Sequence, residues 1–427
     1  MAEYLRRVVD NQLDELLVEL PAVALDGPKA VGKTETATRR AVTIHRLDDP
    51  AQHAIAAADP TLLVIGEVPI LIDEWQRFPE SWDVVRRAVD ADASPGRFLL
   101  TGSATPSDAP AHSGAGRIVT LRVRPLSLAE RGVGVPTVSL RHLLTGQRPP
   151  VGGATDVKLV DYASEIVASG FPALRGLGDR ALRAQLDGYL DRTVEHDFVE
   201  MGRRIRNAAA LRRWLTAYAA ASSTTAAYET IRDAATAGHG DKPSRRGTQP
   251  YIDILERLWL IEPVPAWLPA RNYVSRLAAP PRHQLADPAL AARLLGVGVE
   301  ALLEGRPSVP AIPAVPRGGT LFGALFESLV TLCVRVYAQA AEASVLHLRT
   351  KGGEHEVDLI VERDDQRVVA IEVKLTRTVV DADVRHLRWL SDRLGPDLLD
   401  AVIVTTGPDS YRRPDGIAVV PAALLGP

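Results

Sequence analysis

A single cysteine, Cys333, stands in the 427-residue chain, which excludes an intramolecular disulfide framework and any zinc site built from several thiolates. An excess of one charge sign is missing too. The 50 Lys and Arg against 53 Asp and Glu leave a formal charge of −3, so no global basic field points to nucleic acid or an anionic membrane. Long apolar runs are scarce: Leu62–Ile72 is broken by Glu67 and is too short to span a bilayer. The N-terminal MAEYLRRVVDNQLDELL reads as an amphipathic helix, because acids interrupt it where a signal peptide would be apolar. Methionine and aromatics are sparse, which we read as coding bias. Histidines do not cluster at any metal-ligand spacing, and no repeat or low-complexity tail is present. These absences predict a soluble, cytoplasmic protein with no membrane partner. What is present, 46% hydrophobic residues over this length, suffices for two to four domains with substantial cores.

Three segments separate on pattern. Residues 1–145 alternate strand-like apolar runs (Ala22–Asp26, Ile70–Asp73, Phe98–Thr101, Arg117–Val123) with helical stretches, which predicts βαβ units around a parallel sheet. TGQRPPVGGAT, residues 145–155, reads as a linker. Residues 150–303 carry apolar residues at helical spacing, and the Pro- and Gly-rich run 304–319 marks a second boundary. Residues 318–427 open with a helix, Leu321–Ala340. Strand candidates follow at Ser344–Arg349, His355–Val361 and Arg367–Val373, then a helix near Ala382–Leu394 and a strand at Ala401–Thr405.

The sharpest signal is Gly27-Pro28-Lys29-Ala30-Val31-Gly32-Lys33-Thr34, which fits G-x-x-x-x-G-K-[ST] after an apolar strand and before a helix. Glycines let the backbone N–H groups turn inward around phosphates, and the helix N-terminus adds its positive end. Lys33 would reach the β- and γ-phosphates, and the Thr34 hydroxyl would ligate Mg²⁺. Some forty residues on, ILIDE ends a strand in two acids. Asp73 would hold Mg²⁺ through water, and Glu74 would polarise the attacking water. Phe98–Ser103 should end at the same sheet edge, where Thr101 or Ser103 would either sense the γ-phosphate or cap a helix. Arg117 is open between an arginine finger given to a neighbouring subunit, which implies a homo-oligomer, and an ordinary exposed arginine.

GPKAVGKT, DDPAQHAIAAADP, ILIDEWQRFPE, VDADASPGRFLLTGSA and GRIVTLRVRPLSLAE resemble successive blocks of a prokaryotic AAA-like P-loop ATPase family. Its members continue into a C-terminal domain of unknown function with a nuclease-like end. SGFPALR, GYLDRTVEHDF, YIDILERLWLIEPVPAW and HQLADPALAARLLG extend the resemblance through the middle segment. The resemblance implies an α/β AAA-type fold with ATP and Mg²⁺ as cofactors, and sets Lys33, Thr34, Asp73, Glu74 and Arg117 at matching positions. This chain departs from the family at Lys29, where Arg is commoner, and at Glu35, where Thr often stands.

Helices expected at Leu211–Ser222, Ala226–Ala237 and Pro250–Ile261, followed by EPVPAW, resemble a helix-turn-helix with a wing. Lys242, Arg245 and Arg246 lie just ahead of the last helix, where phosphates are often contacted. That helix is apolar and mildly acidic, which favours a structural or protein-contact role over base reading. In the last segment Asp358 in EVDLIVE precedes Glu372 and Lys374 in AIEVK. Alternation along a strand points Glu372 and Lys374 together and sends Ile371 and Val373 to the core. A turn at Asp364–Gln366 brings Asp358 beside Glu372, and Glu327 on the preceding helix would complete a cluster for one or two Mg²⁺. Strand order and residue types resemble the PD-(D/E)xK nuclease superfamily. The cluster either cuts DNA or persists in a retained fold that no longer does.

Overall fold

The computed structural model describes residues 4–103, 114–198, 201, 207–236, 245–268, 279–305 and 320–427, the side chains of 245–247 excepted. The N-terminal part is a five-stranded parallel sheet in the order β2-β3-β4-β1-β5: β1 Ala22–Asp26, β2 Thr43–Arg46, β3 Ile70–Asp73, β4 Phe98–Gly102 and β5 Val119–Arg122. Parallel sheets are covered on both faces, so their strands read as continuous apolar runs. Alternate residues divide accordingly. Val23, Leu25, Leu71 and Leu99 face the large shared core, while Ala24, Ile70, Ile72, Phe98 and Leu100 face the helix Glu80–Ala91 and its neighbours. Trp75 and Trp82 pack in that second core with ring centroids 4.7 Å apart. Strand β2 was not expected from sequence. It is a partly exposed edge strand, so TIHR carries no apolar run.

The amphipathic N-terminal stretch forms the helix Val8–Glu19. In the middle segment the three expected helices span Ala208–Ala220, Tyr228–Thr236 and Arg245–Arg257. The last begins five residues earlier than its sequence pattern predicts and takes Pro250 into its interior. It ends where Trp259 adopts a left-handed conformation, φ 59°, a common way to leave a helix. EPVPAW then runs antiparallel to residues 282–286: Glu262 N–H donates to Gln284 O at 2.9 Å and Val264 N–H to Arg282 O at 2.8 Å. This hairpin does not stand free. Its strand β7, Ala266–Trp267, joins the C-terminal sheet beside β8.

That sheet has seven strands in the order β12-β13-β11-β10-β9-β8-β7. Its members are β8 Ser344–Arg349, β9 Glu356–Glu362, β10 Val368–Val373, β11 Leu398–Thr405, β12 Tyr411–Arg412 and β13 Ala418–Pro421. β8, β9 and β10 form an antiparallel meander, and β11 lies parallel to β10 after the helix Arg385–Leu394. The helix Leu321–Ala340 covers one face, its start capped by Thr320, whose hydroxyl accepts from Gly323 N–H at 3.0 Å. By length and composition it is the one described helix that would pass as a membrane span, with mean hydropathy 1.6, but 72% of its apolar window is buried inside the protein. Cys333 on this helix packs in the core and accepts from Leu128 N–H at 3.3 Å, and burial pushes its thiol up to about 11. Trp389 stacks on His355 at 3.9 Å, a packing role.

The 145–155 stretch, expected as a linker, is pinned to the C-terminal segment by Thr155 N–H donating to Pro408 O at 2.8 Å and by an Ala154–Asp409 bridge. A two-stranded parallel sheet of β6, Val138–Ser139, and β14, Leu425–Gly426, adds a second tie. The 304–319 boundary lies almost wholly outside the described residues.

Candidate functional site

The loop Gly27–Thr34 joins β1 to the helix Lys33–Thr38. Gly27 admits no side chain: a Cβ there would lie 2.1 Å from the Val123 carbonyl oxygen. Gly32 caps the helix at φ 95°, a conformation that L side chains rarely adopt. Lys33 is 5% exposed and donates to the loop's own carbonyls, Gly27 O and Pro28 O, at 2.8 Å each. Burial lowers its ammonium to about 8, against the opposing pull of Glu74, Asp26 and Asp73. Asp26, last residue of β1, is pushed up to about 6 by burial, which Arg122 and Lys33 only partly offset.

Asp73 closes β3 beside this loop. Its Oδ1 accepts from Thr34 Oγ1 at 2.8 Å and also from the Thr101 hydroxyl. Glu74 follows in a left-handed conformation, φ 56°, which is uncommon for a residue with a side chain and clusters at functional sites. Its backbone N–H donates to Thr101 Oγ1 at 3.3 Å, and its Oε2 accepts from Gln76 Nε2 at 2.5 Å and Ser103 Oγ at 3.2 Å. Gln76 Nε2 also reaches Ser103 Oγ at 3.1 Å. Both sensor candidates therefore touch the acidic pair, Thr101 at Asp73 and Ser103 at Glu74. Sequence reading missed Gln76, whose only signal was its place two residues after Glu74.

A second polar group gathers in the C-terminal segment. Asp358 lies at a β-bulge: Leu346 pairs with Ile360 and Leu348 with Val357, so two residues of β9 oppose His347. Bulges re-aim side chains, and Asp358 turns so that its Oδ2 accepts from Val373 N–H at 2.8 Å. Lys374 Nζ meets Glu372 Oε2 at 3.2 Å. Ile371 and Val373 are buried as expected, but so is Glu372, at 2%, because the sheet is covered on both faces. Asp358 and Glu372 meet in a side-chain hydrogen bond, and burial beside Asp358 holds the Glu372 carboxyl well above the usual carboxylate range. Arg282, from the middle segment's hairpin, lies between Asp358, Glu327 and Glu356. Its Nη1 donates to Glu327 Oε1 at 2.7 Å and Asp358 Oδ1 at 2.8 Å, and its Nη2 contacts Glu356. Among the described residues no group of three or more His, Cys, Asp or Glu is arranged to hold a metal ion. A cleft of about 600 Å³ opens here, lined by Arg282, Glu327, Arg349, Asp358 and Lys374.

Residues 19–131 match an AAA domain family. With the loop, the acidic pair and the parallel sheet above, the match supports an AAA-like P-loop ATPase domain at the N-terminus. Residues 159–301 and 322–425 match two domains of unknown function, DUF8612 and DUF4143. Among curated proteins, an uncharacterized protein of Mycobacterium tuberculosis and one of Mycobacterium bovis are each 27% identical over 423 residues, 98% of this chain and 83% of theirs. Among solved structures, the Walker-type ATPase of Pyrococcus abyssi is 15% identical with a TM-score of 0.38, over 67% of this chain and 94% of that one. At that score the likeness carries no argument.

The AAA domain is tied to the middle segment at two points near the nucleotide loop. Lys29 Nζ pairs with Asp197 at 2.7 Å. Arg124, two residues past β5, holds Glu262 of the hairpin at 2.6 Å and Gln339 of the Leu321–Ala340 helix at 2.6 Å. Burial would raise the Glu262 carboxyl, but Arg124 and Arg335 outweigh it and hold it well below the usual carboxylate range. Arg117 is exposed and pairs with Asp90 of its own chain at 2.8 Å, away from the loop. Of the basic trio proposed for DNA, Lys242 lies outside the described residues. Arg245 and Arg246 open a helix, their side chains undescribed.

Proposed function

We propose that the chain binds ATP with Mg²⁺, hydrolyses it, and uses the cycle to shift its middle and C-terminal segments against the AAA domain. One observation carries this reading: Asp73 accepts hydrogen bonds from Thr34 and Thr101, so the helix after the loop, β3 and β4 converge beside Lys33. Thr34 and Asp73 would hold Mg²⁺, with Gly27–Thr34 around the phosphates. The ion supplies charge neutralisation on the phosphates when bound. Lys33, now satisfied by loop carbonyls, can exchange these for phosphate oxygens without leaving its place. Glu74 accepts the proton of the attacking water, and Gln76 and Ser103 fix the direction of its carboxylate. The Lys29–Asp197 and Arg124–Glu262 pairs give the cycle a handle on the middle segment.

The test is Glu74→Gln, followed by nucleotide titration and phosphate release. Nucleotide should still bind, while release falls by about 10²–10⁴-fold, the range for losing a general base. Wild-type protein that binds nucleotide and releases no phosphate would instead favour a nucleotide-stabilised, protein-binding scaffold. A homo-oligomer completed in trans by Arg117 and a cytoplasmic location belong to the same proposal.

A second reading, an ATP-gated metal-dependent DNA nuclease, draws support from the meeting of Asp358, Glu372 and Lys374 at the end of the β8–β10 meander. In it DNA also docks through Lys242, Arg245 and Arg246, and Glu327 joins Asp358 and Glu372 at a second metal site. Strand scission in Mn²⁺ that is indifferent to Asp358→Asn and Lys374→Ala would defeat that reading.

A further inference from the structure

One buried cation of the N-terminal arm touches the nucleotide loop itself. Arg7, 4% exposed, stands directly before the helix Val8–Glu19, outside the residues that match the AAA family. All three of its guanidinium nitrogens donate. Nη1 donates to the Val31 carbonyl oxygen at 2.9 Å, Nε to Glu130 Oε1 at 3.0 Å and Nη2 to the Arg124 carbonyl oxygen at 2.6 Å. Glu130 is itself held from several sides. Its Oε1 also accepts from Val8 N–H at 2.8 Å, and its Oε2 accepts from Ser127 N–H at 2.7 Å and Ser127 Oγ at 2.9 Å. The carboxylate neutralises the guanidinium, so the arginine adds little charge to the loop. What it adds is direction, because a planar fork fixed at one nitrogen presents the others at set angles.

We propose that Arg7 is a positioning residue for phosphate binding: by holding the Val31 carbonyl outward, it aims the Gly32 N–H into the loop. In a planar trans peptide C=O and N–H point in opposite directions, so a donor fixed on the Val31 oxygen also fixes the Gly32 N–H. A phosphate loop works by turning such N–H groups inward, which leaves their carbonyl partners on the outside. Val31 is buried, so its carbonyl cannot turn to solvent for a donor and needs one from the protein. The outer side of the peptide is lined accordingly. A Cβ on Gly32 would lie 3.8 Å from Arg7 Nη1 and 3.7 Å from Pro172 Cγ. The third nitrogen carries the same fork to Arg124, whose side chain grips Glu262 and Gln339. This role rests on the nucleotide reading of Gly27–Thr34 and adds to it a residue that acts through the loop backbone.

The experiment measures Mg-ATP and Mg-ADP binding by titration calorimetry, and phosphate release against ATP concentration, for full-length wild type, Arg7→Lys and Tyr4→Phe. Melting curves without nucleotide set a temperature at which every variant is folded. Arg7→Lys keeps a cation for Glu130 but has no fork to reach Val31 as well. It should bind both nucleotides about tenfold or more weakly, the cost of one donor to a charged group. Loop N–H groups cradle the α- and β-phosphates, away from the bond that breaks. KM should therefore rise while kcat stays within about twofold of wild type. A merely structural arginine gives the opposite split, fewer active molecules and a lower kcat at unchanged KM. Tyr4→Phe cuts the same arm's hydrogen bonds to Asp10 and Thr36, leaves Val31 held, and should bind as wild type does. Unchanged binding in Arg7→Lys, a loss confined to kcat, or an equal loss in Tyr4→Phe overturns the proposal. Binding alone decides the matter where wild type releases no phosphate. A wild type that binds neither nucleotide sinks the ATP reading together with this role, whereas the other results sink only the role. Should Arg7→Lys fail to fold, Glu130→Asp draws the carboxylate back from Nε with Arg7 in place. It should weaken Mg-ATP binding about threefold or more, and unchanged affinity would count against the proposal.

Discussion

The nucleotide loop and the C-terminal cleft use the same short vocabulary, acids and a lysine at strand ends, and satisfy it in opposite ways. At the loop, Lys33 is held by two carbonyls of its own loop, and Asp73 by two hydroxyls. All are neutral partners, easily exchanged for a charged ligand. At the cleft, Glu327 and Asp358 are held by a buried arginine from another segment. Neutral placeholders can be given up one at a time, whereas removing one member of a buried ion cluster leaves uncompensated charge. The first arrangement suits repeated binding and release; the second suits a state held shut until a whole element moves.

Removing the central cation of each site sets the contrast most strongly. Arg282→Met should cost about 3–5 kcal/mol of stability, as expected when one partner of a buried charge cluster is lost. Lys33→Ala, which frees a lysine already penalised by burial, should cost less than about 1 kcal/mol while abolishing tight nucleotide binding. Denaturant melts of the two variants measure this, and equal losses would erase the distinction.

The next effect is on pH. The Asp26 carboxyl is raised from 3.8 to about 6 by burial, so the fold disfavours its charged form. The associated stability is complete below pH 3.8 and is lost as pH rises through 6. Asp26→Asn should therefore match wild type near pH 4 and exceed it above pH 7, by roughly 1–3 kcal/mol. Lys33 runs the other way, lowered to about 8, so phosphate binding near pH 8 should draw in a proton and weaken at higher pH. Titration calorimetry in buffers of different ionisation enthalpy reads that uptake, and zero uptake would remove the argument. Smallest of all, Lys29→Ala breaks a partly exposed pair with Asp197 and should change stability by about 0.2–1 kcal/mol. A markedly larger loss in the melt would mean that the loop and the middle segment are coupled beyond this one ion pair.

Much of the loop site was legible because its signals are local. A phosphate loop has fixed spacing, and β1, β3 and β4, buried on both sides, betray themselves as apolar runs. The edge strand β2 was not legible, since half-exposed strands need no such run. In the C-terminal segment the helix Leu321–Ala340 and β8 fell where periodicity put them. Periodicity could not locate the bulge at Asp358, because a bulge depends on the partner strand's register as much as on its own residues.

Sequence alone thus determined that Gly27–Thr34 would turn from a strand into a helix, because backbone conformation and spacing within eight consecutive residues are set by local sterics. Only the tertiary structure decided that Gln76 and Ser103 would share Glu74, and that Arg282 would enter the acidic cleft. Contacts across 76 positions leave no trace in any local pattern; they exist only once separate elements pack into one core.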